Sequence, residues 1–106
     1  MYMMLDFHVS AAEVFYKSGD TAKAIECARE ALALDISYEQ SVALWIFVAR
    51  AESKLGNYED SNKILRRLID EKVYLPPVIL TLFYNSLKMN KTEKAAKNMD
   101  LMRIFL

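Results

Sequence analysis

A pattern of helix, turn and helix recurs along this chain at a nearly fixed spacing, which strongly restricts the folds that the chain can adopt. The turn positions are Gly19, Gly56 and Asn90, which lie 37 and then 34 residues apart. A chain that leaves one helix and doubles back into another commonly needs a residue with positive φ, which glycine adopts freely and asparagine tolerates. We therefore predict an all-α chain of three helical hairpins, with a turn at each of these residues.

The segments on both sides of each turn have the periodicity of amphipathic helices. After each turn, small or apolar residues recur at i, i+4 and i+7, which places them on one helix face. These residues are Ala24, Ala28 and Ala31, then Ser61, Leu65 and Leu68, then Ala95, Met99 and Met102. The residues expected to face them from the preceding helix are His8, Ala11, Ala12 and Phe15, then Trp45, Val48 and Ala49, then Ile79, Leu82 and Phe83.

The first hairpin, residues 5–38, resembles the tetratricopeptide repeat family, whose unit is a helical hairpin of about 34 residues. The residue types that match are Ala12, Phe15, Gly19, Asp20, Ala24, Ala31, Leu32, Leu34 and Asp35. The second hairpin, residues 42–75, has Ser61 in place of an alanine but keeps Trp45, Ala49, Gly56, Asn57 and Tyr58. The third, residues 76–106, has bulky Phe83 at a slot for a small residue but keeps Leu82 and Ala95. The resemblance implies one domain, residues 1–106, of about six helices in a short right-handed superhelix.

The two junctions between hairpins carry their own helix-start signals. Ser37 and Gln40 form a capping-box pattern, in which each side chain hydrogen-bonds the backbone N–H of the other residue. We expect this pair to lengthen the third helix at its start by about one turn. Pro76 and Pro77 are accepted in the first turn of a helix and block continuation of the preceding one, so we expect the fifth helix to begin there.

Composition argues against several classes of partner. The chain has 14 basic and 14 acidic residues and a net charge of zero, so charge does not favour nucleic acid or an anionic membrane. The longest uncharged stretch, residues 73–87, is too short and too broken by proline to span a bilayer. The first residues lack a basic segment and a long apolar run, so we expect no secretory signal. A single cysteine forms no internal disulfide, and we expect a cytoplasmic protein.

No catalytic constellation is visible in the sequence. His8 is the single histidine and falls on a packing face, so we interpret it as a partly buried filler rather than a base or a metal ligand. Cys27 lies inside a helix, away from the helix start that lowers a thiol pKa, and is interpreted as inert. Phosphate-binding loops, nucleophile elbows and paired metal-ligand motifs are absent from the sequence. We predict a protein that is not an enzyme and that uses no cofactor or metal.

The family resemblance implies a binding groove formed by the first helix of each hairpin. The residues that match the groove face recur at i, i+4 and i+7, and they are Val9, Glu13 and Tyr16, then Ile46, Arg50 and Ser53, then Leu80, Tyr84 and Leu87. Three lysines at the far edge could hold a carboxylate or a helix C-terminus; they are Lys17, Lys54 and Lys88. Some family members bind chaperone C-termini through a clamp of lysines and asparagines, which is absent because its slots hold Val9, Glu13, Phe47, Pro77 and Thr81. The alternative role for the apolar members of the stripe is packing between neighbouring helices.

Both ends of the chain are rich in apolar residues. The groups in question are Met1, Tyr2 and Met4 at the start and Leu101, Ile104 and Phe105 near the end. Because soluble monomers seldom expose contiguous apolar patches, we interpret these ends as surfaces for self-association as a homodimer or for a second small partner protein.

The leading hypothesis is an adaptor or chaperone that binds an amphipathic or hydrophobic helical segment of a client protein in its groove. Size, architecture and apolar ends are similar to those of the needle-subunit chaperones of bacterial type III secretion systems, which are cytoplasmic proteins that serve protein transport together with a companion. One alternative is a structural assembly subunit that self-associates through its apolar ends. Another is a helical-repeat RNA binder, which the neutral charge and a groove without polar code residues disfavour.

Overall fold

Consecutive helices pack against one another in this protein. The computed structural model describes residues 2–93, with side chains from Met4 to Asn90. The helices are α1 (Tyr2–Ser18), α2 (Thr21–Leu32), α3 (Tyr38–Lys54), α4 (Tyr58–Asp70) and α5 (Pro76–Glu93), and residues 2–93 contain no strand. Each helix contacts the next one along the chain, and α3 also contacts α5. The predicted all-α class is confirmed over these residues; the expected sixth helix, with Ala95, Met99 and Met102, lies outside them.

The α1–α2 and α3–α4 hairpins turn at glycines, as the sequence predicts. Gly19 has a φ of 94° and Gly56 a φ of 85°, both in the left-handed region. In the first turn, the Asp20 N–H donates to the Phe15 carbonyl at 2.9 Å and the Gly19 N–H donates to the Tyr16 carbonyl at 3.3 Å. The second turn repeats this pair of bonds. They form the Schellman motif, which satisfies carbonyls at the helix end and requires a residue with positive φ.

The third expected turn is absent. α5 continues through Asn90 and ends at Glu93. Asparagine is only a moderately poor helix former, costing less than about 1 kcal/mol relative to alanine in a helix interior, so one asparagine does not end a helix. The prediction of a turn at Asn90 is therefore wrong, and the expected second helix of the third hairpin lies outside the described residues.

The helix starts at the two junctions agree with the sequence. The Ser37 N–H donates to Gln40 Oε1 at 2.9 Å and the Gln40 N–H donates to Ser37 Oγ at 3.1 Å, which confirms the capping box. α3 consequently starts at Tyr38, ahead of Val42, where the matched part of the second hairpin begins. α5 starts at Pro76, as expected for a proline in the first turn.

A residue with a left-handed backbone conformation follows the end of α4, and no sequence signal predicts it. Lys72 has a φ of 65°, the only positive φ of a non-glycine residue in the described part of the chain. The Val73 N–H donates to the Leu68 carbonyl at 2.9 Å, and the Lys72 N–H donates to the Ile69 carbonyl at 2.8 Å. These bonds make a third Schellman motif, in which a lysine adopts a conformation that costs L-residues other than glycine roughly 1–2 kcal/mol.

Two apolar clusters hold the helices together. The first joins α1, α2 and α3, and its buried members are Ala12, Ile25, Ala28, Ala31, Leu44, Val48 and Ala51. The second joins α3, α4 and α5, and its buried members are Ile46, Ala49, Leu65, Leu68 and Val78. Alanine dominates the first cluster, so its helices pack through small side chains that permit a short interaxial distance.

A buried polar network also joins α5 to α3 and α4. Asn85 is fully buried, and its Nδ2 donates to Ser61 Oγ at 2.8 Å and to Asn62 Oδ1 at 2.9 Å. Its Oδ1 accepts from the Ser53 hydroxyl at 2.6 Å, while the Ser61 hydroxyl donates to the Ala49 carbonyl at 2.7 Å. All buried side-chain N and O atoms among the described residues have a hydrogen-bond partner. Ser61 is therefore more than a small residue in an alanine slot, because its hydroxyl bonds both α3 and α5.

Candidate protein-interaction groove

The first half of the groove is a pocket between the N-terminal parts of α1 and α3, which we call the acidic pocket. It has a volume of about 330 Å³. Its floor is apolar, and the charged side chains that line it are Asp6 and Glu13, with no basic residue among the lining. The complete lining is Leu5, Asp6, Val9, Ala12, Glu13, Gln40, Ala43, Leu44 and Phe47.

The second half is a pocket between the C-terminal ends of α1 and α3 and the start of α5, which we call the basic pocket. It has a volume of about 560 Å³. Its charged lining residues are Arg50 and Lys54, with no acidic residue among the lining. Leu80 and Tyr84 of α5 form its apolar wall and are 66% and 46% exposed. The complete lining is Tyr16, Arg50, Ser53, Lys54, Pro76, Pro77, Leu80, Thr81 and Tyr84.

The two pockets meet at a pair of aromatic rings. Phe47 lines the acidic pocket and Tyr16 lines the basic pocket, and their ring centroids lie 5.4 Å apart at an interplanar angle of 57°. The Lys54 ammonium lies 4.3 Å from the Tyr16 ring centroid, within the range of a cation–π contact. On α5, the Tyr84 ring packs edge-on against Tyr58 at 6.5 Å. These contacts fix the orientation of the rings that a partner would meet.

The structure brings most of the predicted groove residues to these two pockets. Val9 and Glu13 lie in the acidic pocket. Six others line the basic pocket, and they are Tyr16, Arg50, Ser53, Lys54, Leu80 and Tyr84. Four lie outside both linings: Lys17 and Leu87 are exposed, the Lys88 ammonium lies 5.5 Å from the Tyr84 ring centroid, and Ile46 is buried.

Ile46 does not lie in an open groove, contrary to the expectation from the stripe. It is 9% exposed and belongs to the second apolar cluster together with Leu65, Leu68 and Val78. The regular spacing places Ile46 near the groove face, but α4 and α5 pack over this side of α3 and enclose the side chain. Ser53 reaches the basic pocket with part of its surface, yet it is buried and its hydroxyl is bonded to Asn85. Ile46 is therefore a core residue rather than a candidate binding residue.

Several lining residues were absent from the predicted stripe. Phe47 follows Ile46 and takes the groove position on α3, while Asp6 lies one turn before Val9 on α1. Asp6 could have been found from its i+7 spacing to Glu13. Pro76 and Pro77 line the basic pocket besides starting α5; Pro77 occupies one of the family's clamp slots, but neither proline was among the predicted binding residues.

The exposed side of α5 is apolar beyond the groove wall. Ile79 and Phe83 were expected to face a partner helix within the third hairpin, but they are exposed among the described residues, whereas Leu82 is half-buried. Of the predicted end surfaces, Met4 is exposed. Tyr2 is described only as the first residue of α1, and Met1, Leu101, Ile104 and Phe105 lie outside the described residues.

A third cavity, of about 390 Å³, lies between α3 and α4 over Trp45. Of its charged and hydroxyl-bearing side chains, all but Lys63 are bonded to another group among the described residues. The Tyr38 hydroxyl donates to Glu71 at 2.6 Å, and Arg67 Nε lies 3.5 Å from the same carboxylate. Because these groups already have partners, the cavity offers a ligand little polar recognition, and the groove is the stronger candidate site.

The two residues with potential chemistry lie apart from the groove. His8 Nδ1 lies 3.3 Å from the Glu30 carboxylate, and the His8 ring packs edge-on against Phe7 at 5.6 Å. Cys27 is half-buried, and burial, followed by the negative charges of Glu30 and Glu26, raises the pKa of its thiol. A raised pKa keeps the thiol protonated and poorly nucleophilic. The described residues contain no group of three or more side chains arranged to hold a metal ion.

Among the residues described, α1 to α5 include no helix with the length and apolar character needed to cross a bilayer. No family model, curated protein or solved structure gives a significant match to this chain.

Proposed function

We propose that this chain is a protein-interaction module, without enzymatic activity, that holds an apolar helical segment of a client protein in the groove formed by the acidic and basic pockets. The observation that carries this proposal is the wall formed by Leu80 and Tyr84, which stays exposed beside the Tyr16 ring and two prolines. Apolar and aromatic side chains around a concave surface are typical anchors of a helix-in-groove interface.

The proposal includes the arrangement implied by the family resemblance, a short tetratricopeptide-like superhelix. Two observations support it. The turns of both complete hairpins share one Schellman geometry at Gly19 and Gly56, and the first helices of successive hairpins, α1, α3 and α5, supply every residue of the groove. In such arrays the concave face of the first helices is the usual binding surface.

The narrower form of the proposal is a cytoplasmic chaperone for a secreted helical subunit, similar to the needle-subunit chaperones of type III secretion. It is supported by an apolar groove suited to shielding a helix that would otherwise aggregate. Fold alone does not determine function, so this form rests on identifying the client.

A second candidate function is self-association into a structural assembly. The observation that favours it is the exposure of Ile79 and Phe83, the latter 63% exposed, on the side of α5 next to the groove wall. Concentration-dependent oligomers of the purified chain in light scattering, abolished by Phe83→Asp, would support this function. A monodisperse monomer across the concentration range would exclude it.

The client-binding proposal is tested with a matched pair of variants. Leu80 and Val14 are both mid-helix apolar residues with similar exposure, 66% and 64%, but only Leu80 lines the basic pocket. Leu80→Asp is expected to reduce recovery of the client in co-purification from the native source at least tenfold, the scale of a lost anchor. Val14→Asp should retain the client. Equal recovery with both variants, each with wild-type helicity, would refute the groove as the binding site.

A further inference from the structure

The charges of the groove are separated by sign, although the chain as a whole is neutral. The acidic pocket has Asp6 and Glu13 and no basic lining residue, and the basic pocket has Arg50 and Lys54 and no acidic lining residue. Fourteen charges of each sign give a net charge of zero, so this separation cannot be seen in the composition. The groove therefore has a negative end and a positive end, with the Tyr16–Phe47 ring pair between them.

None of these four charges is neutralised within the described part of the chain. The contacts found there between basic and acidic side chains are His8 with Glu30 and Arg67 with Glu71, neither of which lies in the groove. Lys54 is held over the Tyr16 ring, a contact that positions the ammonium without neutralising it. Two unpaired anions and two unpaired cations at opposite ends of an apolar surface favour a ligand with the complementary arrangement.

We infer that the client segment is a bipolar amphipathic helix that places a basic side chain at Asp6 and Glu13 and an acidic side chain at Arg50 and Lys54, with apolar anchors across the ring pair. This inference rests on the proposed function. The lining residues of the two pockets on α3 centre about nine residues apart, which is on the order of 13 Å along a helix axis. The two charges of the client helix should accordingly lie about two to three turns apart.

The separation of charge also disfavours partners whose charges are all of one sign. A nucleic acid or an anionic membrane surface would be attracted to Arg50 and Lys54 but repelled by Asp6 and Glu13 on the same face. A uniformly basic segment would meet the converse repulsion. A segment that carries charges of both signs has a favourable electrostatic interaction at both ends of the groove.

Four labelled model peptides of ~18 residues test the inference, each an amphipathic helix of about five turns with the same leucine and phenylalanine stripe. One carries a lysine near one end of the stripe and a glutamate near the other; the remaining three carry two lysines, two glutamates or two glutamines at these positions. Because a peptide can bind in either direction, comparing two-signed with one-signed peptides is more informative than reversing the order of charges. Binding is measured by fluorescence anisotropy at low and at high salt.

We expect the two-signed peptide to bind the wild-type chain about three- to tenfold more tightly than either one-signed peptide at low salt, the scale of two exposed ion pairs. The double variant R50E/K54E makes both ends of the groove acidic, so the two-lysine peptide should become the tightest binder. The variant D6K/E13K makes both ends basic and should favour the two-glutamate peptide. The control K63E/R66E makes the same change in net charge on exposed α4 residues outside both pockets and should keep the wild-type order.

The outcomes separate the inference from the proposed function. If all four peptides bind equally well, or if the variants leave the order unchanged while retaining wild-type helicity, the bipolar inference is overturned and the apolar groove stands. If no peptide binds, including the uncharged one, the proposed function fails and the inference fails with it.

Discussion

The Ser53 hydroxyl donates a 2.6 Å hydrogen bond to Oδ1 of Asn85, and this bond links the last turn of α3 to the middle of α5 through the protein interior. Asn85 also donates to Ser61 and Asn62 of α4, so one side chain bonds residues of two other helices. Buried polar networks of this kind help to specify one packing arrangement, because a shifted register would leave several groups without partners.

Replacing Asn85 by leucine should therefore destabilise the fold by about 2–3 kcal/mol. The substitution leaves Ser53 and Asn62 buried without their partner, and each unsatisfied buried group costs on the order of 1–3 kcal/mol. Urea denaturation followed by circular dichroism measures the change. Ser86→Ala, at the exposed neighbouring position, is the control and should cost less than about 0.5 kcal/mol. A loss for Asn85→Leu as small as that of the control would show that the network does not stabilise the fold.

Gly19→Ala should destabilise the fold by about 1–2 kcal/mol through backbone conformation alone. A Cβ added at Gly19 meets no atom within 4 Å, so the cost arises from its φ of 94° and not from a clash. Gly19→Asn should cost less, because asparagine tolerates the left-handed region, and Gly19→Val should cost at least as much as alanine. The same series at Gly56 provides an internal comparison. Equal losses for alanine and asparagine at both turns would contradict the conformational explanation.

Lys72→Gly should stabilise the protein by roughly 0.5–1 kcal/mol. The substitution removes the strain of a non-glycine residue at a φ of 65°, and part of the gain is offset by the greater freedom of glycine in the unfolded chain. The thermal unfolding midpoint is the measurement, and Asp70→Gly, an exposed position in the last turn of α4, is the control that should destabilise. A lower midpoint for Lys72→Gly would mean that its side chain has a stabilising contact outweighing the strain.

Tyr38 should ionise at a higher pH than a tyrosine without a carboxylate hydrogen-bond partner. The hydrogen bond that its hydroxyl donates to Glu71 raises the pKa of Tyr38, with partial burial and the charge of Glu71 as smaller causes. Since the pKa is raised in the folded state, the stabilisation is complete below the unfolded pKa of about 10 and is lost as pH rises through the folded value.

The Tyr38 titration is obtained by subtracting the tyrosinate absorbance curve of Tyr38→Phe from that of the wild type. Glu71→Gln should move this difference curve to lower pH, because it removes the charged acceptor. Glu59→Gln, in the first turn of α4, should leave the curve in place. If Glu71→Gln leaves the difference curve unchanged, the hydrogen bond is not the cause of the raised Tyr38 pKa.

Much of the helical framework could be predicted because its signals are local. The turns at Gly19 and Gly56 follow from the one residue type that adopts positive φ without strain, and the capping box of Ser37 and Gln40 needs only two residues three apart. Lys72 was not predicted because its residue type disfavours the left-handed conformation that accompanies the backbone hydrogen bonds at the end of α4. The turn predicted at Asn90 does not form, because a residue type that tolerates positive φ does not require it.

The candidate groove could be predicted only in part, because it depends on how neighbouring helices are placed. The family resemblance placed Tyr16, Leu80 and Tyr84 on the groove face, but it could not show that α4 and α5 enclose Ile46. The separation of charge into two pockets arises from three helices brought together, and no single segment contains it. The role of Asn85 likewise appears only when its partners on α3 and α4 are known.

The bonding of Asn85 has a consequence for ligand capture. Leu80 and Tyr84 belong to the same helix as Asn85 and lie within about one and a half turns of it. The buried hydrogen bonds that position α5 therefore also position the apolar wall of the basic pocket before a ligand binds. A docking helix would thus meet a preorganised surface, and the entropic cost of association would fall mainly on the ligand.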